Sequence, residues 1–405
     1  MNGNIPATCL LDHDVIDDPY PFYRRLQSEA PVWQVPGTEI FVVSTYSYVA
    51  EASSRVEDFS SHMRHLLYRS ESGLPDRLSF GEAGADALAT ADPPMHKAHR
   101  DVVFSELVST RMATLEPEIT KITSRCIGGI SDGHIDFMAD IGNVIPINVM
   151  TRLIGLGDGN ARELFEAAID STSMLGAALT REELEEHIVR TLEIEDWIGR
   201  QLEGAVDEPN DEILGAVARG VDSGVFTHQE GSVVLHTLLS AGGESTTSLI
   251  GNAVRLLGER QDLQGLLRRS PELIPAFIEE VLRLESPFRF LLRTTGHETS
   301  LGDVPIPQDA TVLLLWGAAN RDSGTFDDAD AILLDRNVPR RHVAFGRGIH
   351  HCVGAPLARL EARIVLTAFL EQTESFTLDL DDPPRWVQSL MVRRHDHLAL
   401  RVTMS

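Results

Sequence analysis

Along most of the chain apolar residues recur at three- and four-residue spacing, and the breaks between these stretches are short. The segment TREELEEHIVRTLEIEDWIGRQLEGAV begins with Thr180 and Glu183, spaced to cap each other's end of the backbone, and continues with apolar residues at helical spacing. A second pair of this kind, Thr227 and Glu230, opens THQEGSVVLHTLLSAGGESTTSLIGNAVRLLGER. That long pattern is apolar on nearly every side, which predicts a helix running through the interior. PELIPAFIEEVLRLESP is a further helix, ended at Pro287. Strand-like runs are few: IFVVST, FRFLLRTT, ATVLLLWG and the late stretch from Trp386 to Met391. No repeat, low-complexity segment or linker interrupts the pattern. One domain over residues 1–405, mainly α with a small β region, is expected.

Composition narrows this picture. The 405 residues, 42% hydrophobic and 24% charged, suit an ordinary soluble globular chain with a large core. No apolar run approaches the length of a bilayer span, and the N-terminus lacks the basic start and apolar stretch of a signal peptide. A cytoplasmic protein without a membrane partner is the expectation. Cys9, Cys126 and Cys352 are too few for a disulfide framework and too scattered for a zinc site. A net charge of −26 makes nucleic acid a poor partner. The acidity is uneven, however. Arg336, Arg340, Arg341, Arg347, Arg359 and Arg363 crowd around Cys352 with only Glu361 opposing them in sequence.

Cys352 lies in VAFGRGIHHCVGAPLARLEAR. Gly346, Gly348 and Gly354 imply turns with little side-chain bulk, so something flat or large can approach the backbone. A helix starts just after the cysteine, and its free N–H groups, with the arginines, favour thiolate over thiol. Such a loop presents a soft metal ligand or a nucleophile. A Cys–His peptidase would also place its cysteine at a helix start, but the glycine spacing points elsewhere.

Other segments carry chemistry. AGGEST, Ala241 to Thr246, falls in the middle of the long helix, where each glycine weakens the helix by roughly 1 kcal/mol. Tandem glycine there marks a kink or π-bulge, or else a packing notch. A buried Glu244 needs partners. Glu280 and Arg283 stand one helical turn apart and can pair. His96 and Arg100 share one helix face.

Phe345-Gly346-x-Gly348-x-His350-x-Cys352-x-Gly354 resembles the haem-binding loop of the cytochrome P-450 family. The resemblance spans nearly the whole chain, from DDPYPFYRRL near Asp17 to SLMVRR near the end, and looks most like the soluble bacterial branch. It implies the cytochrome P-450 fold and a haem b group with Cys352 as iron ligand. Phe345, Gly346, Gly354 and Ala241 would border the haem, and His96, Arg100, Arg293 and His350 would reach its propionates. Glu280, Arg283 and Arg336 would form a structural ion-pair network. Glu244, Ser245 and Thr246 would handle protons in oxygen activation. Here the chain departs from the family pattern: Ser245 stands where threonine is usual. Serine keeps the hydroxyl but loses the methyl and some rotamer stiffness, which puts tight coupling of electrons to product in question.

The implied reaction is insertion of one oxygen atom from O2 into a small apolar substrate, by hydroxylation or epoxidation. Electrons would come from NAD(P)H through ferredoxin reductase and an acidic ferredoxin docked on the arginine-rich face of a monomer. The alternatives are a peroxide-driven haem enzyme and a non-catalytic haem protein that binds a ligand. Thr237, Ala241, Leu291, Leu390 and Arg289 are expected at the substrate pocket. If PFRFLLR is a strand, Arg289, Leu291 and Arg293 point the same way. Arg289 would then look into an apolar cavity and hold an oxygen of the substrate, unless a bend swings it to a salt bridge outside the pocket.

Overall fold

Local capping decides where the central helices begin. Thr227 accepts from the Glu230 N–H at 3.1 Å while the Glu230 carboxylate accepts from the Thr227 N–H at 2.6 Å. Thr180 and Glu183 make the same reciprocal pair. The computed structural model describes residues 5–79, 86–107, 109–157, 160–208, 210–336 and 339–405. The helices that build the site are α1 (Met95–Glu106), α2 (Val144–Ile154), α3 (Ala161–Ser173), α4 (Arg181–Asp207), α5 (His228–Glu259), α6 (Ile274–Leu284) and α7 (Ala355–Gln372).

Helix α5 is 32 residues long, and α2, α3, α4 and α7 pack around it. Leu235, Leu239, Ile250, Val254 and Leu257 on it are wholly buried, as its all-round apolar pattern predicts. The tandem glycines do not kink it: α-helical structure continues through Gly242 and Gly243. They serve as a packing notch instead. A Cβ on Gly242 would lie 2.5 Å from Met150 Sδ of α2, and one on Gly243 would lie 3.2 Å from Ile147 Cδ1. A π-turn forms elsewhere, at Met138–Gly142.

A five-stranded sheet flanks the helices: β1 (Val32–Gln34), β2 (Ile40–Val43), β3 (Phe59–Ser60), β4 (Leu291–Thr295) and β5 (Thr311–Leu314), in the order β1-β2-β5-β4-β3. β2 and β5 run parallel, and Val312 of β5 faces Arg293 of β4 across an antiparallel pair. Two expected strands are corrected here. Residues Phe288–Phe290 stay outside β4, and of the late run only Trp386 pairs, in the two-residue strand Arg385–Trp386. The rest of that run is a loop whose Leu390 N–H donates to the Gly176 carbonyl at 2.8 Å. The hairpin His65–Arg69/Pro75–Ser79 and the sheet of Thr373–Leu378, Ala399–Met404 and Gly133–Asp136 have no counterpart in the sequence reading. Among the described residues no helix is long and apolar enough to cross a membrane.

Candidate functional site

The loop before α7 folds around its glycines. Gly346 and Gly348 have φ of +68° and +76°, a region other residues adopt at a cost of roughly 1–2 kcal/mol. A Cβ on Gly348 would lie 2.9 Å from the Ser53 carbonyl oxygen, and one on Gly346 would lie 3.2 Å from the Trp316 ring. The Cys352 N–H donates to the Phe345 carbonyl at 2.9 Å and closes the loop. Cys352 is half-buried, and its Sγ faces the N–H groups of Gly354 and Ala355 at the start of α7. Burial is the stronger effect and pushes this thiol up, against those N–H groups, Arg100 and Arg359. The expected thiolate is therefore not favoured by the polypeptide alone. A bound metal ion would deprotonate it.

Beside the loop, basic groups meet with little acid. The His96 and His350 rings lie 4.1 Å apart. Burial, then the charges of Arg293, His96 and Arg100, lowers His350 to about 3. Its Nε2 is buried and has no hydrogen-bond partner among the described residues. Arg293 is lowered to about 10 by burial, opposed only by Asp92. Its guanidinium donates to the adjacent Leu292 carbonyl at 2.8 Å. Asp92 is itself occupied by Ser60 and the Ser61 N–H. The cluster is short of negative charge. His99 is 1% exposed and packs 4.7 Å from the Phe226 ring.

On α5 the sides of the helix differ. Thr237, Ala241 and Ser245 form a stripe four residues apart that keeps partial exposure in the middle of the helix. Ser245 Oγ donates to the Ala241 carbonyl at 2.5 Å. Thr246 is buried. Glu244 is buried too, and it finds partners that the sequence did not reveal. Arg394 Nε donates to Glu244 Oε1 at 3.0 Å, and Thr172 Oγ1 donates to Oε2. Burial pushes the Glu244 carboxyl up, and Arg394 and Thr172 oppose it.

Glu280, Arg283 and Arg336 come together. Arg283 donates to both Glu280 oxygens at 2.8 and 2.9 Å, and Arg336 adds contacts at 3.0 and 3.3 Å. Glu280 and Arg283 are wholly buried. Leu291 and Leu390 border one apolar cluster with Leu175, Leu292 and Phe290.

Two expectations are corrected. Arg289 does not open onto a cavity unpaired: its guanidinium donates to the Ile16 carbonyl at 2.8 Å and to the Ser389 carbonyl. The arginine-rich segment is also less free than its sequence suggests. Glu279 accepts from Arg359 at 2.6 Å, Glu116 from Arg363 at 2.7 Å, and Glu280 takes Arg336. Arg340, Arg341 and Arg347 are the exposed remainder. Glu361, the one acid in that segment, is wholly buried, and burial raises it well above the usual carboxylate range.

A mainly helical body built on a buried central helix, with a glycine-framed cysteine at the start of a late helix, defines a class of haem-thiolate oxidoreductases. The comparisons agree. The family model Cytochrome P450 matches residues 218–398. The chain is 37% identical to Cytochrome P450 144 of Mycobacterium tuberculosis over 98% of this chain and 92% of that one. It is 32% identical to the 6-deoxyerythronolide B hydroxylase of Saccharopolyspora erythraea, covering 95% of this chain and 96% of that one. CYP109E1 from Bacillus megaterium, solved in complex with testosterone, superposes with a TM-score of 0.85 at 28% identity, covering 96% of this chain and 98% of that one. The chain belongs to the cytochrome P450 family and is a P450 monooxygenase, an oxidoreductase of a family that works with haem b and O2.

Proposed function

We propose that the protein hydroxylates or epoxidises an apolar substrate, with haem b held between the Phe345–Cys352 loop and the exposed stripe of α5. The observation that carries this reading is the acid-poor cluster of His96, Arg100, Arg293 and His350. Four basic or donating groups, with the buried Nε2 of His350 unpartnered, suit the two carboxylates of a haem. Gly346 and Gly348 let the loop fold against Trp316 and Ser53, and Gly354 places no side chain beside Cys352. Cys352 would hold the iron. When bound, the haem supplies the one-electron and oxygen chemistry that no side chain offers.

The chain's own residues do the rest. The Glu244 carboxylate, free to take a proton when Arg394 releases it, and the Ser245 hydroxyl handle protons beside the Ala241 groove, with Thr246 next to them. Thr237, Leu291 and Leu390 give the substrate an apolar wall, which favours hydrocarbon-rich molecules. The relatives named for a macrolide precursor and the structure holding testosterone make such substrates the first to try. Electrons would arrive from NAD(P)H through an acidic ferredoxin, steered by Arg340, Arg341 and Arg347 on the exposed side of the loop. A monomeric cytoplasmic enzyme fits this use.

The test is spectroscopic, then catalytic. Reduced protein with carbon monoxide should show the red-shifted Soret band of thiolate ligation, and Cys352→His should lose it. Turnover with NADH, ferredoxin reductase and ferredoxin should give product, fall with rising ionic strength and fall again in Arg347→Glu. Retention of the band in Cys352→His would reject the ligand assignment. Turnover with peroxide alone would favour the peroxide-driven reading.

A further inference from the structure

Behind the exposed stripe of α5 lies a second, buried one. Ser171 on α3, His236 on α5 and Glu195 on α4 stand in line. Ser171 Oγ is 2.6 Å from His236 Nε2, and His236 Nδ1 is 2.9 Å from Glu195 Oε1. Ser171 and His236 are buried, while Glu195 keeps 28% of its side chain exposed, so the line runs from solvent inward.

Ser171 Oγ also lies 2.9 Å from the Ala167 carbonyl of its own helix. Its single proton can point to that carbonyl or to His236 Nε2. In the first case Nε2 donates to Ser171; in the second it accepts. The site therefore accommodates a proton on either side of the imidazole, as a relay requires.

One turn beyond His236 on α5 is Ser240, and one turn beyond that is Glu244, so all three share a face. Ser240 is 5% exposed, and its Oγ has no hydrogen-bond partner among the described residues. Thr172, next to Ser171, already bonds Glu244. Ser240 thus stands on the helix face between His236 and Glu244 with its hydroxyl uncommitted.

Serine, histidine and glutamate in this order also occur in hydrolases. Ser171, however, sits inside a continuous helix, where the neighbouring N–H groups are engaged by the helix's own carbonyls. N–H groups so engaged do not form the oxyanion site that acyl transfer would need.

We propose that Glu195, His236 and Ser171, continued by Ser240, form the route by which protons from solvent reach Glu244. This rests on the reading that Glu244 and Ser245 handle protons in oxygen activation. Each passage is balanced. A proton taken up from water by Glu195 moves to His236 Nδ1, and the Nε2 proton moves to Ser171 Oγ. The original Ser171 proton leaves for Ser240 or a water beside it and so for Glu244. No electrons are exchanged with any group, and the imidazole resets by tautomer exchange. Among these residues Glu195 and His236 are positioning residues, acting only through Glu244.

The experiment compares Glu195→Gln, His236→Gln, Ser240→Ala and Ser245→Ala in the haem-loaded protein, with Glu195→Asp as the conservative rescue. In the resting enzyme, labelled-histidine NMR reads exchange of the His236 ring proton with water. Glu195→Gln should slow it at least about tenfold, because a proton acceptor in place accelerates transfer by that much or more. In turnover, Glu195→Gln and Ser240→Ala should lower the rate several-fold and enlarge the solvent deuterium effect. Substrate affinity and haem content should not change, and Glu195→Asp should recover most of the rate. Should His236→Gln fail to fold, the part-exposed Glu195→Gln still carries the test. Wild-type ring-proton exchange, rate and isotope effect in Glu195→Gln and Ser240→Ala would overturn the route. If Ser245→Ala then still diverts electrons to peroxide, only the route falls; if it too is silent, the reading of Glu244 and Ser245 falls with it.

Discussion

At Arg289 a guanidinium sits 2% exposed and is held by main-chain oxygens of Ile16 and Ser389 rather than by any carboxylate. Burial is what pushes its pKa down, with Tyr23 and Glu285 acting the other way. Its work is to tie the N-terminal segment to the loop before Leu390. Removing it strands buried carbonyls, at about 1–3 kcal/mol each. Arg289→Leu should therefore lower thermal stability by several degrees. It should weaken oxygenated ligands and matched hydrocarbons equally, as parallel spin-state titrations would read. Selective loss of the oxygenated series would restore Arg289 to the pocket. The strand-like look of PFRFLLR made the guanidinium seem to face inward, because alternation holds only where residues pair as a strand. Arg289 lies two residues before β4 begins. Cys352 was legible for the opposite reason: its glycines are local requirements, set by backbone conformation at Gly346 and Gly348.

At the scale of the element, α5 carries three functions on one helix: a notch toward α2, a part-exposed stripe at Thr237, Ala241 and Ser245, and a buried polar stripe at His236, Ser240 and Glu244. The helix and both its capping residues could be read from periodicity and composition. The glycine pair could not be settled that way, since a kink and a notch leave the same two letters. Contact with Met150 decides for the notch. Gly242→Val should force α2 and α5 apart and destabilise the fold by roughly 1–3 kcal/mol, the usual penalty for overpacking. Thermal denaturation with and without a companion Met150→Ala substitution checks this. The companion should recover part of the loss if the clash with Met150 is its source.

Across the whole molecule, distant segments meet at buried carboxylates. Glu285 is reached by Arg393 at 2.9 Å, Arg255 at 3.0 Å and Arg321 at 3.4 Å, and Tyr20 donates to it at 2.6 Å. Burial alone would raise Glu285, but the three arginines and Tyr20 hold it at about 2. Burial likewise opposes, and His342 and Arg359 outweigh it, at Glu279, also about 2. Both lie below their ordinary value of 4.5. Their stabilisation is therefore complete above that value and is lost as pH falls from there toward 2. In denaturant unfolding these two carboxylates should contribute a decline of a few kcal/mol as pH falls below about 5, added to the mutually opposite pulls of buried His350 and Glu361. In Arg393→Gln that decline should be smaller, on a lower plateau. An equal decline in Arg393→Gln and wild type would contradict this account.

From its sequence alone this protein determined its helices, their caps, the glycine-framed cysteine and the short-range pairs Glu280–Arg283 and His96–Arg100. Each depends on residues within one or two turns of one another, where spacing dictates geometry. Only the tertiary structure decided that Glu244 meets Arg394 and Thr172, that Glu279 and Glu116 quieten the arginine-rich face, and that His99 is buried. It also decided that Ser171, His236 and Glu195 stand in line. Those partners lie tens to hundreds of residues apart, and no local propensity encodes which side chains a packed interior brings within 3 Å.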